Sequence, residues 1–96
     1  MNDTSLNSAR RTLATEIEGL QALSATLDDA FTQAVTVLAN ISGRVIVSGM
    51  GKSGHIGAKI TATMASTGTP AQFVHPSEAS HGDLGMITQN DAILAL

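Results

Sequence analysis

The chain has no cysteine, tryptophan or tyrosine, and Phe31 and Phe73 are its only aromatic residues. Without a thiol there is no disulfide scaffold, no thiolate nucleophile and no sulfur ligand for a metal. Basic residues are scarce too: five Lys and Arg stand against eight Asp and Glu, a net charge of −3. Binding a phosphate backbone needs a basic face, so nucleic acid is excluded as a partner. No apolar run approaches the roughly 20 residues needed to span a bilayer. The start, Met1-Asn2-Asp3-Thr4-Ser5, lacks the basic and then apolar pattern of a signal peptide. The expectation is a cytoplasmic protein with no membrane partner. What is present is 43% apolar, mostly Ala, Val, Ile and Leu, over 96 residues, the composition of one small globular domain.

The most informative stretch is Ser48-Gly49-Met50-Gly51-Lys52-Ser53-Gly54-His55. It follows the apolar run Val45-Ile46-Val47 and leads into a helical pattern expected to begin near His55. A strand, a glycine-rich turn and a helix start make an anion cradle, because glycine lets backbone N–H groups face inward and the helix end adds partial positive charge. Lys52 and the hydroxyls of Ser48 and Ser53 would complete a site for a phosphorylated small molecule, with Gly49 and Gly51 supplying the turn. Two other glycine patterns compete. Gly49, Gly51 and Gly54 satisfy G-x-G-x-x-G, but dinucleotide binding also wants an acidic residue at the end of the next strand, where His75-Pro76 stands. The nucleotide-triphosphate loop needs glycine at the place of Ile46 and fails. The plainest alternative is a glycine turn that only lets a helix pack on a strand.

Taken in order, residues 1–5 read as disordered. Leu13, Ile17, Leu20, Leu23, Leu27, Phe31, Val35 and Leu38 then recur at helical spacing. This predicts one kinked helix or two over residues 6–41, with Thr26, Asp28 and Asp29 suited to start the second. The apolar stripe would pack on a sheet or form a subunit contact. Gly43 reads as the helix C-cap. Residues 44–48 are a strand buried on both faces. Ile56, Ile60, Met64 and Ala65 mark the buried side of the next helix, which Thr67-Gly68-Thr69-Pro70 ends. A second strand covers 71–74 and a third begins near Asp91, so strand, helix and strand form a right-handed parallel unit. The last run, Asp91-Ala92-Ile93-Leu94-Ala95-Leu96, reads as a buried strand reached as the chain stops, and the expectation is a sheet truncated after about three strands.

Residues 75–87 read as a loop at the carboxyl end of the second strand, where open α/β sheets place ligand sites. His75, Glu78, His81 and Asp83 fall within nine residues. Imidazoles carry protons near neutral pH, and His75, Glu78 and His81 also have metal-ligand chemistry.

The stretches 45–57, 65–70, 74–76 and 80–86 resemble the sugar isomerase (SIS) domain, and within it the arabinose-5-phosphate isomerases. The resemblance is close over about 40–96. It implies a doubly wound, flavodoxin-like three-layer α/β fold, with an N-terminal helical segment at 1–41 and the first part of the SIS domain at 42–96. It implies reversible conversion of ribulose 5-phosphate to arabinose 5-phosphate, in a homotetramer with CBS domains downstream, feeding octulosonate sugar for lipopolysaccharide or capsule. The family's catalytic lysine falls on Lys52, its Gly-Thr substrate contact on Gly68 and Thr69, and its substrate histidines on His75 and His81. His81 is thereby a second catalytic candidate and His75 a site of inhibitory zinc, with no cofactor required. The family's catalytic glutamates fall beyond Leu96. The rival readings are a sugar-phosphate-sensing SIS module without turnover, a dinucleotide-dependent oxidoreductase and an inactive fragment.

Overall fold

A carboxylate starts the first helix. In the computed structural model, which describes residues 3–96, Asp3 Oδ1 accepts the N–H of Leu6 at 2.9 Å. The Asp3 carbonyl takes the N–H of Asn7. Helix α1 therefore runs Thr4–Thr26, which corrects the reading of residues 3–5 as disordered; Met1 and Asn2 lie outside the described residues. The side chain of an N-cap aspartate satisfies a first-turn donor that the helix itself cannot. At the other end the backbone of Leu27 turns extended, and Asp28 begins again: its Oδ1 accepts from Ala30 N–H at 2.9 Å and its carbonyl from Phe31 N–H. Helix α2 is Asp29–Asn40, so the pattern over 6–41 is two helices.

The chain divides into two compact units, Met1–Gln33 and Ala34–Leu96. In the first, no residue of α1 is buried, and Leu13 and Leu20 are 62% and 66% exposed. The stripe on α1 is bare.

The second unit is built on a parallel sheet. Strand β1, Val45–Ser48, is followed by helix α3, Lys52–Ser66, and strand β2, Ala71–Phe73. Then come helix α4, Pro76–Ser80, a 3₁₀ helix, Asp83–Met86, and strand β3, Ala92–Ala95. The strand order is β2-β1-β3, with Val45 paired to Ala71 on one side and Ala92 on the other. Central β1 is apolar at three successive residues because both its faces and both its edges are covered: Val45, Ile46 and Val47 are at most 1% exposed. The edge strand β3 alternates instead, with Ile93 and Ala95 exposed.

The buried face of α3 differs from the one its apolar spacing predicts. Ile56 is 58% exposed and Ala65 is exposed, while Gly54 and Gly57 are buried. A Cβ on Gly57 would meet Phe73 Cε2 at 3.1 Å and Val47 Cγ1 at 3.2 Å. The helix lies so close to the sheet that its fully buried positions are those without side chains. Ile60 and Met64 stay half-buried.

Gly43 is likewise not the C-cap of α2, which ends three residues earlier. Its N–H donates to Asn90 O at 2.9 Å, and a Cβ there would lie 2.7 Å from that oxygen and within the Asp91 carboxylate. It is glycine because the turn before β3 presses on it. Beside it, Asp91 Oδ1 accepts the Arg44 N–H at 2.7 Å and Oδ2 the Thr88 N–H at 2.8 Å. The Arg44 guanidinium reaches Gln72 Oε1 and the Met86 carbonyl and lies 4.0 Å from Asp91. One arginine and one aspartate thus tie together the starts of all three strands.

Candidate active site

The opposite, carboxyl end of the sheet carries the site residues. The chain leaves β1 for β2 on one side and returns to β3 on the other, so the order reverses between β1 and β3, the place where such sheets bind ligands. A cavity of about 380 Å³ opens there, lined by Ser48, Gly49, Met50, Ser53 and Pro76 with the strand end Ala95-Leu96. The turn above it folds back on itself. A Cβ on Gly49 would lie 3.0 Å from the Ser53 backbone, and one on Gly54 would lie 2.8 Å from Gly49 O. Gly51 has φ +57°, a conformation that favours glycine.

These contacts let the helix start earlier than the sequence suggests. The carbonyls of Met50 and Gly51 accept the N–H groups of Gly54 and His55, so α3 begins at Lys52 rather than near His55. Lys52 and Ser53 consequently occupy its first turn, where N–H groups have no preceding helical acceptor and the partial charge is positive. Lys52 is exposed and has no ion-pair partner among the described residues. The arrangement suits an anion with the ammonium beside it.

A second cavity, about 310 Å³, lies between α3 and β2 and is lined by Gly51, Gly54, His55, Ala58, Phe73 and His75. His75 is fixed by its own turn. Pro76 stands at the first position of α4, where its missing N–H and set φ suit the helix, and His75 is the N-cap. Its Nδ1 accepts the Ser77 N–H at 3.1 Å and lies 2.8 Å from Ser77 Oγ. An accepting Nδ1 leaves Nε2 as the nitrogen that can meet a ligand.

The structure therefore gathers Ser48, Gly49, Gly51, Ser53 and His75 at one end, with Lys52 on the intervening turn. His81 is exposed at the end of α4 and lines neither cavity. Gly68 and Thr69 are not brought to the site. They follow the far end of α3, whose 15 residues span roughly 22 Å at 1.5 Å each. Gly68, with φ +98°, closes that helix, since Thr69 N–H donates to Met64 O at 2.9 Å. Thr69 lines another cavity with Leu38, Ala39 and Met64.

The stretch 75–87 is two short helical turns and not an open loop, and this breaks up the metal set read from it. Among the described residues no three His, Asp or Glu side chains converge to hold a metal. Glu78 belongs to the first turn of α4 and Asp83 to that of the 3₁₀ helix. His75 has no two further carboxylate or imidazole donors gathered beside it among the described residues. His55, by contrast, carried no role in the sequence reading. Its signal was the spacing of three after Lys52, on a helix taken to start too late.

Comparison with known proteins agrees with this geometry. The SIS domain family matches residues 38–96. Arabinose 5-phosphate isomerase KdsD of Pseudomonas aeruginosa is 56% identical over 91 residues, covering 95% of this chain and 28% of the relative. Arabinose 5-phosphate isomerase GutQ of Salmonella typhi is 55% identical over 94 residues, covering 98% of this chain and 29% of the relative. A solved Escherichia coli CFT073 protein in complex with arabinose 5-phosphate superposes with a TM-score of 0.88 at 38% identity, over 99% of this chain and 51% of that one. The chain thus spans under a third of the length of these curated relatives. With the family matched over most of its length and the glycine turn at the sheet's switch point, the chain belongs to the SIS domain family.

Proposed function

We propose that this chain takes part in the interconversion of D-ribulose 5-phosphate and D-arabinose 5-phosphate through an enediol. The observation that carries the reading is the glycine turn at the β1/β3 reversal, with Lys52 in the first turn of α3, in a chain so similar to isomerases of that name. The ligand's phosphate is an anion suited to the cavity bounded by Ser48, Gly49 and Ser53. Moving the carbonyl between C1 and C2 requires a proton to shift while an oxyanion develops. The Lys52 ammonium steadies that oxyanion, and the imidazole of His75 carries protons; the resemblance alone supports the same role for His81. The carboxylates in this region, Glu78 and Asp83, sit in the first turns of short helices, so neither is assigned as the base. The same resemblance is the support for a cytoplasmic homotetramer supplying octulosonate synthesis. No helix among the described residues is long and apolar enough to cross a membrane.

Titration with arabinose 5-phosphate and, separately, with NAD tests the reading. Saturable binding of the sugar phosphate with no saturable binding of NAD is expected. Tight NAD binding, or indifference to the sugar phosphate, overturns it.

A further inference from the structure

We infer that His55 is a ligand-contacting residue that hydrogen-bonds the sugar hydroxyls, an inference that rests on the sugar-phosphate reading above. The two cavities at the carboxyl end of the sheet are neighbours at two separate points of the chain. Met50 lines one and Gly51 the other; Pro76 lines one and His75 the other. Consecutive Cα atoms are only about 3.8 Å apart. A molecule whose phosphate rests on the Ser48–Ser53 side therefore has the cleft between α3 and β2 immediately beside it. At about 310 Å³ that cleft stands at the lower end of the range for small-molecule sites.

Its lining divides the work. Phe73, Ala58 and the glycine backbone give it an apolar floor, and its two imidazoles, His55 and His75, are the polar groups that can orient a polyol. His75 has its Nδ1 occupied by Ser77. The His55 ring has no hydrogen-bond partner among the described residues and is exposed, so both of its nitrogens are available. Its backbone N–H donates to Gly51 O, so the residue is held against the turn that bears Lys52. Ser48 and Ser53 serve the anionic end, and His55 and His75 the hydroxylated end.

The test compares two probes on the intact chain, arabinose 5-phosphate and inorganic phosphate, by calorimetry. His55→Ala is expected to weaken arabinose 5-phosphate about tenfold, the worth of one good hydrogen bond, and to leave phosphate within twofold; His55→Gln restores part of the loss. In the unmodified chain the His55 ring proton resonance should shift as arabinose 5-phosphate saturates, a reading independent of how the variants fold. If that resonance stays still, or both probes weaken equally in His55→Ala, the inference falls while sugar-phosphate binding stands. If the unmodified chain binds phosphate but not arabinose 5-phosphate, the functional reading fails and the inference with it.

Discussion

Lys52 sits where a helix begins, exposed and unpaired among the described residues, so its removal disturbs little packing. If the full-length protein has the isomerase activity proposed above, Lys52→Ala is expected to lower its kcat by roughly 10²–10³, the loss typical of one oxyanion-stabilising donor, with Tm nearly unchanged. Near-normal turnover would remove Lys52 from the mechanism. Asp91 is the contrasting residue. Its side chain is 2% exposed, and the backbone N–H groups of Arg44 and Thr88, with help from the Arg44 charge, hold its carboxyl below the usual carboxylate range. A depressed pKa contributes stability that is complete above the unfolded value of about 3.9 and fades as pH falls through the lower folded value. Melting temperature should therefore fall on acidification below about pH 4, and Asp91→Asn should lower it at pH 7 while flattening that acid slope. An acid slope unchanged by Asp91→Asn would show that other carboxylates carry it.

At the scale of elements, helix α3 is held by what it lacks. Gly57 faces Phe73 and Val47 with no room for a larger group, so Gly57→Val should cost about 1–3 kcal/mol from overpacking, measured by urea unfolding. A loss under about 0.5 kcal/mol would mean the helix shifts freely on the sheet. The same helix shows how much of the fold could be read from the sequence. Strand β1 was legible because three β-branched apolar residues in a row have one plain meaning. The two strands beside it, their parallel sense and the glycine turn after β1 were legible too, from the alternation of apolar runs with glycine and proline. The face of α3 was not, because apolar periodicity points to Ile56 whereas the closest contacts are made by Gly54 and Gly57, which hydrophobicity does not mark. Gly43 was misread as a cap because its cause, the Asn90-Asp91 turn, is remote along the chain. The place of His75 was legible, at the carboxyl end of the second strand, because His75-Pro76 follows the apolar run 71–74. Gly68 and Thr69 were placed by resemblance at the site, and only the length of α3 shows them at its other end.

For the molecule as a whole, the bare stripe of α1 governs behaviour in solution. Leu13, Ile17, Leu20 and Leu23 are all more than half exposed, and an apolar face of this kind favours association. The purified chain is expected to self-associate at micromolar concentration, and Leu13→Glu with Leu20→Glu to reduce its mass by light scattering. A monodisperse monomer without the substitutions would refute this. The Arg44 cluster has a kinetic consequence of its own. Arg44 meets Gln72 across 28 residues of chain and Asp91 across 47. Closing the longer loop costs about 0.5 kcal/mol more in entropy, which favours β3 docking onto a β1–β2 pair that forms first. On that order the bonds that Gly43 and Arg44 make to Asn90 and Asp91 are expected to form last and open first. Hydrogen exchange should then fade from β3 inward, with Val47 protected longest, so that one wall of the ligand cavity loosens before the turn beside it does.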